Sequence, residues 1–445
     1  YKRILVCVTE HRLAPYQPFF AEFTHDVPAV YLLFIPGKQM LQIRRAVSAA
    51  DAVVLAHSSI DDVQCRTAKI LYGDATADGR LSASISNLFA TGTGQVITPK
   101  TPLHFVPDEY GVNSRLLTRI DEIAKEGIKE GAYPGCQIVI LKDGKEMYNK
   151  AFGTHTWPGA SANRLSASVI PGATLPVSPT DVYDLASLTK TTATLLAVMK
   201  LYDEGKIKLD DKVSAYLPFL RNGNKRNITI RELLFHESGL PPYIRFYLDI
   251  IDPNSVHGPY SQSWVDEWHR TQVSEHSYYC SDFKFRKGMV SDKNTPVYTL
   301  HMADGMWLNK SFKNSILQRI AKCELDGKRY VYSDLGFVLL QQVVEKVTEL
   351  PMDLYLAREF YAPMGLQRTM FLPLTKFTKA EIMPTASNDF LRRQDICGYV
   401  HDETAACMGG VSGNAGLFST AEEVAKVYQM LLNGGGINCK SVLCG

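Results

Sequence analysis

Two side chains with the makings of covalent chemistry stand one helical turn apart. Ser187 and Lys190 lie in the run Asp184-Leu185-Ala186-Ser187-Leu188-Thr189-Lys190, and residues three apart are neighbours on a helix surface. A serine hydroxyl is a weak nucleophile until something takes its proton. A lysine amine beside it does so where burial or a nearby charge lowers its pKa. The start of a helix adds oriented N–H groups and partial positive charge, which favour a developing oxyanion. The chemistry on offer is nucleophilic acyl transfer. Ser-x-x-Lys also occurs by chance on exposed helices, so its meaning depends on what positions it.

The segment carrying the pair is expected to be helical. Leu188, Thr192, Leu195, Met199 and Tyr202 recur at steps of four and three, which predicts one shared face. Upstream, a helix capped by Asn113 or Ser114 carries Leu117, Ile120, Ala124 and Ile128 on one face. A hairpin follows, Cys136–Leu141 and roughly Glu146–Phe152, around an Asp143-Gly144 turn. Downstream, Thr229 caps a short helix that Gly239 ends. His236 in that ending turn reads as a structural hydrogen-bonder, since no Gly-x-Ser-x-Gly elbow supports pairing it with Ser238. Residues 243–330 read as irregular and aromatic, a lid or an added subdomain, with the aromatics as its core. Tyr330–Gly336 opens a long helix with Leu335, Val338, Leu339, Val343 and Val347 on its apolar face, and a second helix runs near Asp353–Phe360. Ser419 with Glu422 reads as a capping box for a helix over 420–432.

Composition excludes several classes. The 445 residues have room for two or three domains, and 45% hydrophobic with 21% charged residues is ordinary for a soluble globular protein. A net charge of +2 gives no general attraction to nucleic acid or anionic membrane, and no run is long enough to span a bilayer. The nine cysteines include no Cys-x-x-Cys pair, which argues against a disulfide framework and a structural zinc site. His401, Asp402 and Glu403 are metal-capable types but consecutive, so they do not converge easily on one ion. No metal and no cofactor is expected. The chain starts at Tyr1 without a charged-then-apolar leader and reads as an excised piece, its targeting signal lying outside it.

Short apolar runs at 3–8, 28–34 and 52–56 alternate with helical stretches at 39–50 and 60–71, which indicates an α/β layer with a parallel sheet. Leu71-Tyr72-Gly73-Asp74, a spacer and Gly79-Arg80-Leu81, then Gly92-Thr93-Gly94, resemble the end of the second, α/β-sandwich domain of glycoside hydrolase family 3. Residues 1–97 are accordingly expected to be the C-terminal part of that sandwich. The family's catalytic barrel would precede Tyr1, so the glycosidase site implied by the resemblance is mostly absent. Residues 98–111 hold three prolines and read as a linker.

Ser187-x-x-Lys190 followed far downstream by Tyr332-Ser333-Asp334, with the hairpin before them, resembles the serine β-lactamase and penicillin-binding protein superfamily. The class C β-lactamase and esterase-like branch is the nearest in pattern. Ile228–Leu234 with His236-x-Ser238-Gly239-Leu240, and Gly413–Thr420, carry the same resemblance. It covers about 112–445 and implies an antiparallel sheet flanked by helices plus an all-helical region. It also implies Ser187 as acylated nucleophile, Lys190 as the residue tuning proton transfer, and Tyr332 as general base alone or with Lys190. The Ser187 N–H would be half of the oxyanion hole. A phenol is a poor base at neutral pH unless a cation stabilises its phenolate, and Lys190 supplies such a charge.

Two departures stand out. The family has asparagine where this chain has Asp334, the expected substrate-binding position. A carboxylate only accepts hydrogen bonds, so Asp334 is free to pair with Lys190, and an esterase or peptidase is favoured over an antibiotic-destroying enzyme. The family's third motif, Lys or His then a residue then Gly on an edge strand, is not found and is expected beyond Gly445, with the C-terminal strands. The expected function is a serine hydrolase acting through an acyl-enzyme on an ester or amide, such as cell-wall peptide or β-lactam, in a bacterial periplasm or envelope. The alternatives are a non-catalytic relative that binds peptidoglycan or a partner, and an accessory module of a β-N-acetylhexosaminidase-type glycosidase.

Overall fold

The computed structural model of the chain describes residues 4–9, 13–22, 28–72, 77–97, 107–157, 175–280, 282–437 and 440–443. The chain forms two compact units, Tyr1–Val106 with Gly436–Ser441, and Pro107–Gly435 with Val442–Gly445. In the first, β1 (Ile4–Val8), α1 (Gln17–Glu22), β2 (Ala29–Leu33), α2 (Arg44–Ser48), β3 (Ala52–Leu55) and α3 (Asp61–Tyr72) come in order. The strands form a parallel sheet in the order β1-β2-β3, with Ile4 opposite Ala29 and Val30 opposite Ala52. Tyr31, Leu33, Ile35, Met40, Ile43 and Val47 are buried in one cluster. The helix expected over 39–50 differs. Gly37–Ile43 is a 3-10 turn, and only Arg44–Ser48 is α-helix. Met40 and Ile43, both buried and three apart, suit the three residues per turn of that form. Part of the Leu71–Leu81 motif, 73–76, and most of the proline-rich stretch, 98–106, lie outside the described residues.

The second unit opens with α4 (Ser114–Lys129), whose first turn is capped by the Asn113 side chain accepting Arg115 N–H. β4 (Gly135–Lys142) and β5 (Lys145–Gly153) form an antiparallel hairpin. Asp143 and Gly144 have φ of +52° and +74°, as a two-residue turn matched to strand twist requires. The Gln137 amide on β4 ties the hairpin to two later segments of the chain. It donates to the Ser178 and Asp181 carbonyls at 2.6 and 2.8 Å and accepts Ala421 N–H at 3.0 Å.

After β6 (Tyr183–Asp184) come a 3-10 turn (Ala186–Leu188), a π turn (Lys190–Thr194) and α5 (Leu195–Asp203). The expected shared face is not the buried one. Of the expected face, Thr192 is buried, Leu195 and Met199 are half-buried, and Leu188 and Tyr202 are exposed, while Ala193, Thr194, Leu196, Ala197, Val198 and Leu201 are buried. Mixing 3-10, π and α turns breaks the single 3.6-residue period on which the expectation rested. The Thr192 carbonyl inside the π turn accepts the buried Tyr361 hydroxyl at 3.0 Å.

α6 (Val213–Tyr216) and α7 (Ile230–Leu234) come next, α7 carrying a capping box of Thr229 and Glu232. Residues 243–330 are more regular than the sequence suggests. β7 (Ser261–Gln262), β8 (His269–Ser274) and β9 (Ser277–Cys280) form one antiparallel sheet. β10 (Val290–Ser291), β11 (Tyr298–Ala303) and β12 (Met306–Asn309) form another, and α8 (Phe312–Lys322) closes the region. Register shifts in β8 and β11 interrupt the alternation of faces, which hides such strands from a period-two search. Phe246 and Phe283 are buried, whereas Tyr243 and Trp264 are exposed.

Further elements include α9 (Asp334–Thr348), α10 (Met352–Leu356) running into a π turn (Ala357–Tyr361), β13 (Met370–Phe371), α11 (Glu403–Cys407), β14 (Leu417–Ser419) and α12 (Ala421–Leu432). β14 pairs antiparallel with both β13 and β6, with Phe418 opposite Met370 and Asp184. The cap of α12 is displaced by one residue from expectation. Thr420 accepts Glu423 N–H, because Ser419 is held in β14 with its hydroxyl 2.7 Å from that of Thr369. The unit is a mixed α/β structure of helices and small antiparallel sheets.

One buried ion pair shapes the loop before α11. Arg392 is bidentate on Asp389, with both side chains at 1% exposure or less. Its guanidinium also donates to the Val400 and His401 carbonyls at 2.6 and 2.7 Å. Removing one partner leaves an uncompensated buried charge. R392A is therefore expected to lose about 3–5 kcal/mol of unfolding free energy in urea titrations, with D389A/R392A losing less than the two single changes together.

Candidate active site

The serine sits on a strained elbow. Asp184 closes the β6 end, its two carboxylate oxygens accepting Ala186 N–H at 2.9 Å and His401 N–H at 2.8 Å. Ala186 takes a φ of +45°, costly for a residue with a Cβ and often found where a neighbour must be aimed. Leu185 N–H donates to the Leu417 carbonyl and Leu417 N–H to the Thr189 hydroxyl, at 2.9 and 3.1 Å. Strand β14 thus grips the chain on both sides of Ser187, whose own side is exposed.

Lys190 is buried, at 3% exposure, and its Nζ has three acceptors. Ser187 Oγ lies at 2.9 Å, the Asn414 carbonyl at 3.1 Å and Asp334 Oδ1 at 2.7 Å. An ammonium has three donors and no acceptor, so this set uses it fully. Nζ also lies 4.9 Å from the centre of the Tyr332 ring and 5.8 Å from that of Phe337. Tyr332 is exposed at 43%, on the open side with Ser187. Asp334 is placed by its backbone, whose N–H donates to the Pro242 carbonyl at 2.9 Å, while Ser333 Oγ donates to the Pro241 carbonyl at 2.7 Å. Ser187, Lys190, Tyr332 and Asp334 therefore come from two distant stretches into one cluster.

Sequence reasoning missed the third side of that cluster. Gly413 N–H donates to Gln341 Oε1 on α9 at 3.1 Å, and its carbonyl accepts the Thr194 hydroxyl at 2.8 Å. A Cβ at Gly413 would overlap the Phe337 carbonyl, so only glycine lets this loop approach α9 closely enough to present the Asn414 carbonyl to Lys190. The Asn414 amide is fixed at both ends. Its Oδ1 accepts the Ser412 hydroxyl at 2.7 Å, and its Nδ2 donates to Asp402 Oδ1 at 3.1 Å. The glycine-asparagine run was visible, but a role exerted through a backbone carbonyl leaves no side-chain signature.

Asp402 caps α11, accepting Ala405 N–H at 2.7 Å on the same Oδ1. His401 is exposed while Asp402 and Glu403 are half-buried, and among the described residues no group of three or more His, Cys, Asp or Glu is placed to hold a metal ion. Burial pushes the pKa values of Asp184, Asp402 and Glu403 up, and the Asp334 charge adds to the effect on Asp402. Among the described residues no helix is long and apolar enough to cross a membrane.

An exposed serine with a buried lysine against its oxygen, on an α/β frame of small antiparallel sheets, is an arrangement that suits serine-hydrolase chemistry. The comparisons agree. The beta-lactamase family model matches residues 120–441. A protein of Escherichia coli (strain K12), named "Putative D-alanyl-D-alanine carboxypeptidase", is 30% identical over 351 residues, covering 74% of this chain and 67% of its own length. Its namesake from Salmonella typhimurium (strain LT2) is 29% identical over the same shares. Among solved structures, the octameric penicillin-binding protein homologue from Pyrococcus abyssi is similar with a TM-score of 0.48 at 22% identity, over 74% of this chain and 58% of that one. The chain spans less than two thirds of that protein's length. The chain belongs to the beta-lactamase family of serine hydrolases.

The acid-rich surround of Lys190 has a measurable signature. A carboxyl whose folded pKa is raised binds its proton more tightly folded than unfolded, so stability falls as pH rises from the ordinary carboxylate range through the raised value. Asparagine at 402 keeps the acceptor for both Ala405 and Asn414 and removes the charge. The unfolding free energy of D402N is expected to match wild type in acid and to exceed it increasingly toward neutral pH. Parallel stability–pH curves for the two proteins would count against this reading of Asp402.

Proposed function

We propose that the second unit is an acyl-transferring hydrolase with Ser187 as nucleophile, Lys190 as its electrostatic partner and Tyr332 as general base. The observation that carries this reading is the full set of acceptors around Lys190 Nζ: Ser187 Oγ, Asp334 and the Asn414 carbonyl. An ammonium so engaged stabilises negative charge nearby but has no lone pair to take a proton. Tyr332, with its ring facing that ammonium, is the group left to accept the Ser187 proton. Ser187 Oγ attacks an ester or amide carbonyl, its proton passes through Tyr332 to the leaving alcohol or amine, and the acyl–oxygen or acyl–nitrogen bond breaks. Water then attacks the acyl-enzyme by the same route in reverse. The Ser187 N–H serves as one oxyanion donor.

The substrate class we propose is a peptidoglycan-derived peptide ending in D-alanine, or an ester of similar size, handled in the bacterial periplasm or envelope. The names of the enterobacterial relatives support the peptide. Asp334 supports the preference over a β-lactam. Its carboxylate is engaged by Lys190 and offers no N–H to a substrate side-chain amide, unlike an asparagine. Residues 1–97 we read as the C-terminal part of a family 3 glycoside hydrolase sandwich and 98–111 as a linker to residues 112–445. The parallel order β1-β2-β3 supports the first of these.

Intact-mass labelling tests the nucleophile. A fluorophosphonate is expected to add once to the wild-type protein and not to S187A. Absence of any adduct on folded wild-type protein would replace the hydrolase with a non-catalytic binding relative. Steady-state rates on a D-alanyl-D-alanine peptide, a short-chain ester and a cephalosporin separate the substrates. D334N is expected to gain at least about tenfold in the β-lactam rate relative to the ester rate, the scale of one added charge-free hydrogen bond. An unchanged ratio would remove Asp334 from substrate selection.

A further inference from the structure

His236 holds the chain on both sides of Tyr332. It lies just after α7 with a φ of +57°. Its backbone carbonyl accepts Val331 N–H at 2.9 Å, and its Nδ1 accepts Ser333 N–H at 3.0 Å. Its imidazole lies against the Tyr332 ring between these two bonds, with centroids 4.6 Å apart and planes at 36°. Phe337 of α9 packs at 5.3 Å and Tyr330 meets it edge-on at 6.1 Å. A histidine in a helix-ending turn needs none of this to stabilise a fold. The arrangement singles out the one residue between 331 and 333.

The hydrogen bond also fixes the protonation state. A backbone N–H is always the donor, so Nδ1 must carry a lone pair, and the imidazole is neutral with its proton on Nε2. Protonation would put a second N–H against that of Ser333 and break the bond. The ionisable groups facing the ring are Lys190 of the π turn, Asp334 of α9, and Tyr330 and Tyr332 of the segment before it. Burial, and after it the Lys190 charge, hold the His236 pKa below its ordinary value, with Asp334 and the Ser333 bond opposing.

We propose that His236 is a positioning residue that clamps Tyr332 for proton transfer, so that acylation of Ser187 requires His236 to be neutral. The inference rests on the reading of Tyr332 as the base. Because the neutral imidazole is the working form, activity is present above the His236 pKa and is lost as pH falls through it.

The test is the rate of fluorophosphonate labelling of Ser187 against pH, in the full chain carrying His236, H236N or H236A, with folding checked by circular dichroism. Asparagine tolerates positive φ and its Oδ1 can accept the Ser333 N–H, but it does not titrate. Below the His236 limb wild type is expected to lose about tenfold more in rate per pH unit than H236N, over and above any limb that the base gives both proteins. H236A is expected to be slower by about tenfold or more at neutral pH, the scale of one lost orienting hydrogen bond and ring contact. H236N is expected to recover most of that loss and to lack the added His236 limb. Wild-type labelling rates in H236A overturn the clamp, and the same acidic limb in H236N as in wild type overturns the coupling. Where H236A fails to fold, the profile of H236N decides alone. Wild-type protein that never labels overturns the Ser187 reading and the inference with it, and is distinguished from failure of the clamp because all three proteins are then silent.

Discussion

A buried ammonium must be surrounded by acceptors, and that constraint organises the second unit. Lys190 is almost fully removed from water, and an unpaired charge there costs several kcal/mol. Its three partners come from three places in the sequence: its own turn, the start of α9 and the loop before β14. Each partner is itself braced. Asp184 and β14 hold the serine turn, the Pro241 and Pro242 carbonyls hold Ser333 and Asp334, and Gln341 with Thr194 holds Gly413. Loosening any brace leaves the lysine charge short of an acceptor. Packing far from the serine is in this way tied to the geometry of the site.

The backbone is strained by this arrangement in two matching places. Ala186 precedes the serine with φ of +45°, and His236 faces the tyrosine with φ of +57°. Neither is glycine, and left-handed backbone at a residue with a Cβ persists only where its surroundings enforce it. At Ala186 the enforcing contact is the Asp184 carboxylate on its N–H. At His236 it is the pair of hydrogen bonds to 331 and 333. A π turn begins at Lys190 itself, a form that recurs at functional sites because it re-aims side chains a regular helix would leave turned away.

What was legible in the sequence was mostly local. Ser187 and Lys190 are three apart, and that spacing survives whether the turn is α or 3-10. The Asn113 cap, the Asp143-Gly144 hairpin and the Thr229 cap are each set by residues within a few positions. The pairing of Asp334 with Lys190 was open to reading because opposite charges in one motif set have few other uses. Elsewhere the signal failed for physical reasons. The π turn has no residue signature, so the apolar face after Ser187 was misplaced. Ser419 and Thr420 are chemically alike as caps, and only the pairing of β14 decides between them. The strands within 243–330 are short and bulged. Asn414 and Asp402 act across long sequence separations, one of them through a backbone oxygen, and neither fact is written in a local pattern.

Proton transfer at the site is constrained by the lone pairs its groups have left. Lys190 has none while it donates to three oxygens, and His236 has one, already given to Ser333 N–H. Asp334 has its Oδ1 on the lysine. Burial raises the pKa values of Asp402, Asp184 and Glu403, and the carboxylate oxygens of Asp184 and Asp402 already accept backbone N–H groups. Of the ionisable side chains gathered around the serine, the Tyr332 phenol is the one that both faces a cation and stands on the open side. In the mechanism we propose, Lys190 contributes most by staying charged. It holds Ser187 Oγ in place, and in that mechanism its charge lowers the cost of a phenolate beside it. Asp334 keeps the balance of that charge. An asparagine there would leave the ammonium with weaker compensation and would offer a donor where the carboxylate only accepts, which is why the proposed mechanism ties the charge at Lys190 and the choice of substrate group to this one position.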